Sequence, residues 1–148
     1  MVIQKTFPTN LKQKKKMKLS EHSRNRLLHS FSLWDVPQEY SQHVSDYLVN
    51  GFHPGGFYTA VLANDFMSAV IRSHPGNQID TLKGLAGWIS NTMPTAAWGS
   101  YDRVQTWLNM SDQDRRTVLE QAELIYTTRD EMWLVLKNEE TVNPYEWS

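Results

Sequence analysis

From residue 36 onward, apolar residues recur at helical spacing in short blocks separated by proline, glycine and serine. Val36, Tyr40, Val44, Tyr47 and Leu48 return every three or four positions and stop at Gly51, which predicts a helix over 37–50 with Pro37 in its first turn and Asp35 near its N-cap. After the loop Gly51-Phe52-His53-Pro54-Gly55-Gly56, the residues Phe57, Val61, Leu62, Phe66, Ala69 and Val70 share a broad face. They predict one helix over 57–73, the central core element, ending before Pro75-Gly76. A helix over 78–93 places Leu82, Leu85, Ala86, Ile89 and Met93 together and is stopped by Pro94. Gly84 and Gly87 inside it each cost about 1 kcal/mol relative to alanine, so a neighbouring helix backbone is expected to approach closely there.

Serines mark three further starts. Ser20 caps a short helix through about Leu28, with Leu27, Leu28 and Phe31 as its docking edge, and Ser100 caps another through Leu108 with Val104, Trp107 and Leu108 inward. Ser111 with Asp114 resembles a capping box that opens a last helix from about Asp112, carrying Val118, Leu119, Ala122 and Ile125 inward. Residues 127–137 stay open between helix and strand, because Thr127-Thr128 is a weak point in the pattern, and helix is preferred. The fold class predicted is all-α: a compact bundle of about five helices forming a single domain over 20–148, preceded by a flexible basic arm at 1–19. The triplet His-Pro-Gly occurs at 53–55 and 74–76, which is too little to make a repeat.

Composition narrows this picture in two ways. With 148 residues, 40% hydrophobic and 21% charged, the chain has ordinary globular usage and the size of one domain. It has no cysteine, which removes disulfides, thiolate metal sites and thiol nucleophiles and fits a reducing compartment. Its apolar runs are far short of the roughly 20 residues of a membrane span, and no continuous apolar stretch near Met1 reads as a secretory signal. The net charge of −1 conceals an asymmetry: the first thirty residues carry eight basic side chains against one acid, so that segment is +7 and the remainder −8. Lys12, Lys14, Lys15, Lys16 and Lys18 are candidate phosphate contacts for nucleic acid, although the acidic remainder opposes the same polymer and only weak, salt-sensitive binding is expected.

Candidate chemistry is sparse. His53, Gly55 and Gly56 directly precede a predicted helix, where free backbone N–H groups and the helix dipole suit an anion; glycine and proline there also simply make the turn. Asn64 falls in the middle of the 57–73 helix at the edge of its apolar face, where it either braces a neighbouring loop or touches a ligand. Trp98, in a stretch punctuated by proline and glycine, is the best surface or pocket candidate among six tryptophans. The five histidines form no metal-ligand spacing, and His53 and His74 are expected at opposite ends of one helix, roughly 30 Å apart. No nucleophile elbow, phosphate loop or dinucleotide fingerprint is present, so neither catalysis nor a cofactor is expected.

The runs GFHPGGFYTAVLANDFMSAV, NQIDTLKGLAGWISNTMP and AAWGSYDRVQTW, within residues 36–110, resemble a group of small uncharacterised proteins of tailed bacteriophages and prophages. The matching positions are Gly55, Gly56, Phe57, Ala60, Val61, Leu62, Asn64 and Asp65, then Pro94, Trp98, Gly99, Ser100 and Trp107. The resemblance implies a viral source and the cytoplasm of a bacterial host, and it carries over no catalytic residue. The leading expectation is a non-enzymatic binding protein, without membrane association, that engages a host protein or sequesters a small anionic, nucleotide-like ligand at His53, Gly55, Gly56, Asn64 and Trp98. A nucleic-acid accessory protein using the lysine arm, a minor virion component and a homo-oligomer remain alternatives.

Overall fold

The computed structural model of the chain describes residues 19–73 and 79–137. Among these it shows eight α-helices, one single-turn 3-10 helix and no strand. They are α1 (Glu21–Ser32), α2 (Gln38–Asn50), α3 (Gly56–Leu62), α4 (Phe66–Arg72), α5 (Ile79–Thr92), the 3-10 turn Thr95–Ala97, α6 (Tyr101–Asn109), α7 (Asp112–Gln121) and α8 (Thr128–Lys137). The all-α class holds, and the helix count exceeds about five because helices expected to be long are split. None of the described helices is long and apolar enough to cross a membrane.

The first split falls inside 57–73. Asn64 adopts φ +63°, a left-handed conformation that asparagine tolerates better than other residues with a Cβ. Asp65 then caps a new helix, its carboxylate accepting the Ser68 N–H at 3.2 Å. The second split falls where the β-branched pair weakens the pattern. α7 ends at its C-cap Ala122, Glu123 turns at φ +60°, and Thr127 caps α8 by accepting the Asp130 N–H at 3.1 Å. Residues 128–137 are therefore helix rather than strand. Ala122 is exposed instead of inward, and Ile125 is buried beyond the helix end.

The serine starts match their expectations. Ser20, Ser100 and Ser111 cap α1, α6 and α7 by accepting the N–H of Ser23, Arg103 and Asp114, each at 3.1 Å. α1 runs past Leu28 to Ser32, leaving Leu28 exposed. Asp35 caps nothing: it sits at φ +53° in the turn after α1, and Pro37 is the N-cap of α2 without a side-chain bond.

The central core element is α2 rather than 57–73. Val44, Tyr47 and Leu48 are fully buried and meet Leu27 and Phe31 of α1, Leu85 and Trp88 of α5, Trp107 of α6 and Leu119 of α7 in one cluster. Two of the buried aromatic residues bond their polar ends to backbone: the Tyr47 hydroxyl donates to Ala97 O at 2.6 Å and the Trp107 indole N–H to Tyr47 O at 3.2 Å. The close neighbour expected at Gly84 and Gly87 is a turn and not a helix: a Cβ at Gly84 would lie 2.5 Å from Trp34 O and one at Gly87 2.6 Å from the Trp34 ring.

Two buried charges join elements far apart in sequence. Arg115 of α7 donates to the carbonyls of Val49 and Asn50 at the end of α2 and of Trp107 and Met110 at the end of α6, and pairs with Asp112. It thus places a cation where the C-terminal carbonyls of two helices converge. Gly51 closes α2 at φ +66°, and a Cβ there would lie 2.6 Å from the Arg115 guanidinium. Glu131 of α8 accepts the hydroxyls of both Ser20 and Ser23, and its second oxygen lies 3.7 Å from Arg116. Leu19, just before α1, packs against the core.

Candidate functional site

α3 is seven residues long, and the expected site residues fall at its two ends. At its start, the exposed His53 accepts the Gly55 N–H on Nδ1 at 3.0 Å, which already occupies one of the backbone donors that an anion would need. Gly55 is the N-cap at φ +92°, with nothing within 4 Å of where a Cβ would stand. Gly56 has a different neighbour: a Cβ there would lie 2.9 Å from Arg72 Nη1. The reversal at Asn64 turns α4 back, so Arg72 at its end reaches the start of α3. In an unbroken helix the two residues would stand about 24 Å apart.

Asn64 and Trp98 lie at the other end of α3, about 10 Å along its axis from Gly56. Asn64 is exposed in the turn and does not edge a buried face. Trp98 is half-buried against the core, and its indole N–H is enclosed without a hydrogen-bond partner among the described residues. The chain around Trp98 is fixed by Gly99 N–H donating to Leu62 O at 2.7 Å and by Arg103 reaching Trp98 O at 3.3 Å. The structure therefore does not gather His53, Gly55, Gly56, Asn64 and Trp98 into one cluster. His74 and the five arm lysines lie outside the described residues, so the expected separation of His53 and His74 is untested, and its premise of one straight helix fails at Asn64.

Beside Asn64, at the same end of α3, stands a polar pair whose meeting the sequence did not show. The Tyr101 hydroxyl of α6 donates to Asp65 at 2.7 Å. This bond is the main cause holding the Asp65 carboxyl below its ordinary pKa, with the backbone and side chain of Ser68 and the charge of Arg72 acting in the same direction. The same bond raises the Tyr101 phenol. The pair ties α4 to α6 and leaves an anion, Asp65, near the cation Arg72.

The most conspicuous surface is on α4. Phe66, Met67, Val70 and Ile71 are 73%, 66%, 44% and 77% exposed, whereas Ala69 on the opposite side is buried. Phe66 and Val70 were expected to face the core. They do not, because the turn at Asn64 rotates α4 relative to α3 and only Ala69 points inward. Further exposed apolar groups occur at Leu28, Leu33 and Trp34 and at Met132, Trp133 and Leu136. The last three share α8 with Arg129, Asp130 and Lys137, while the only charges at α4 are at its ends and turn toward Tyr101 and Gly56. Among the described residues no group of three or more His, Asp or Glu side chains could hold a metal ion. Compared with protein-family models, curated proteins and solved structures, the chain has no match.

Proposed function

We propose that this protein is a non-enzymatic binding protein that engages a folded protein partner through the outward face of α4. The observation that carries this reading is the run of four large apolar side chains, Phe66, Met67, Val70 and Ile71, exposed together on one helix with no charge among them. Isolated exposed apolar residues are ordinary, but a contiguous group that includes phenylalanine and methionine has the make-up of an interface centre. The phage resemblance of Gly55 to Asp65 and Pro94 to Trp107 supports a host protein, met in the bacterial cytoplasm during infection, as the partner class.

One observation favours a second reading, an anionic group held at the start of α3: Arg72 stands over Gly56 there. Against it, the Gly55 N–H is already taken by His53, and Gly55 faces open space. A pull-down from bacterial lysate separates the two. The α4 reading expects the partner retained by the wild type to be lost with Phe66→Glu plus Ile71→Glu and kept with Arg72→Ala. The opposite pattern moves the function to the Gly56–Arg72 end.

A further inference from the structure

The face of α4 also constrains what covers it. A partner related by a two-fold axis presents the same residues, so whatever residue i meets on the other copy is met by residue i there in turn, and a wholly apolar face meets a wholly apolar one. α4 has no charged residue on its outward side: Asp65 is turned to Tyr101 and Arg72 to Gly56. The exposed residues are also spaced symmetrically about the middle of the helix, in the order Phe66, Met67, then the partly buried Ser68 and buried Ala69, then Val70, Ile71. When two such helices cross antiparallel, Phe66 of each copy faces Ile71 of the other and Met67 faces Val70. A single register then covers all four residues on both copies.

The area agrees with this arrangement. At exposures of 44% to 77% the four side chains present on the order of 500 Å² per copy, so a symmetric pair buries about 1,000 Å², the size at which specific interfaces begin. The α8 group of Met132, Trp133 and Leu136 differs in sharing its helix with the exposed charges Arg129, Asp130 and Lys137.

We infer that a second copy of this chain covers α4, forming a two-fold dimer in which the two α4 helices pack antiparallel. This rests on the reading of α4 as a protein-binding face and names its occupant. Interfaces of this size are at the weak end, so the dimer exchanges with monomer.

The test is sedimentation of the full chain from micromolar to submillimolar concentration, beside Phe66→Glu plus Ile71→Glu, with helicity of both checked by circular dichroism. Because the substituted residues are exposed, the variant is expected to keep its helices, and its dimer dissociation constant is expected to rise at least about tenfold. The register is read separately. The chain has no cysteine, so mixing Met67→Cys chains with Val70→Cys chains and oxidising gives a covalent heterodimer only if 67 meets 70 across the axis. A wild type that stays monomeric throughout, or a dimer as tight in the variant as in the wild type, overturns the second copy as occupant. If the wild type is monomeric and the same variant still loses a host protein in the pull-down, the α4 reading stands with that protein on the face. Loss of neither removes both.

Discussion

Gly51 carries two requirements at one position. Its φ of +66° is a conformation that side chains with a Cβ disfavour by about 1–2 kcal/mol. The space where a Cβ would go is filled at 2.6 Å by the guanidinium of Arg115, which bonds the carbonyls of Val49 and Asn50. Gly51→Ala is therefore expected to lose more than the backbone cost alone, about 2–4 kcal/mol, measured as a shift in the urea midpoint at unchanged slope. A loss near 1 kcal/mol would mean that Arg115 moves aside without cost. At the same scale, the buried phenols make stability depend on alkaline pH. Burial raises the pKa of Tyr47, and burial together with the charge of Glu39 and the neighbouring Tyr40 pushes Tyr58 up to about 12. A folded-state pKa above the unfolded one means that the folded chain holds the phenolic proton more tightly. That stabilisation is complete below about pH 10 and is lost as pH rises toward 12. Urea midpoints measured across this range should stay level up to about pH 10 and then fall, and Tyr58→Phe should make the fall shallower.

At the scale of elements, the break between α3 and α4 decides which surface the protein shows, and it depends on Asn64. Asn64→Gly should leave stability unchanged or slightly higher, whereas Asn64→Val puts a β-branched residue at φ +63° and should cost about 1–2 kcal/mol. Equal midpoints for the two variants would remove the left-handed turn as the cause of the break. The sequence shows this element only in part, for a physical reason. Helical periodicity records that Phe57, Val61, Leu62, Phe66 and Val70 fall in phase, and that phase survives a one-residue turn, so the break is invisible to it. The signal that marks the break is local: asparagine, which tolerates the left-handed turn, followed by aspartate with a serine three residues on to be capped. Local signals of the same kind made the caps at Ser20, Ser100 and Ser111 legible. Gly84 and Gly87 announced a close neighbour, but only the tertiary structure could supply Trp34. Arg115, Glu131 and the meeting of Arg72 with Gly56 leave no local trace, because each joins segments whose proximity depends on the whole fold. Periodicity likewise identifies an apolar face without saying whether its own chain covers it, which is why Phe66 and Val70 were placed in the core.

At the scale of the whole molecule, the first helix is tied to the last through Glu131. Its carboxylate is 5% exposed, and among the described residues it takes the hydroxyls of Ser20 and Ser23 and faces Arg116, which itself reaches Glu120 at 2.9 Å and Tyr126 O at 3.4 Å. Truncation leaves two buried hydroxyls without an acceptor and a cation with one partner fewer, so Glu131→Ala should cost about 2–4 kcal/mol, with the glutamine variant milder because it keeps an acceptor for the serines. Equal losses in the two variants would mean that the charge, rather than the acceptor, carries the tie. This network also holds Ser20, two residues beyond Lys18, against α8. The first thirty residues sum to +7 and the remainder to −8, so binding through the lysines and association through α4 are separable by salt. If Lys12, Lys14, Lys15, Lys16 and Lys18 hold nucleic acid, affinity should fall with a log–log slope of about 0.7–0.9 per phosphate contact as salt rises. Deleting residues 1–18 should then abolish it while leaving α4-mediated association intact. Association through α4 buries apolar area and should change little over the same salt range. Binding that is salt-steep and unaffected by the deletion would take the nucleic-acid reading off the arm.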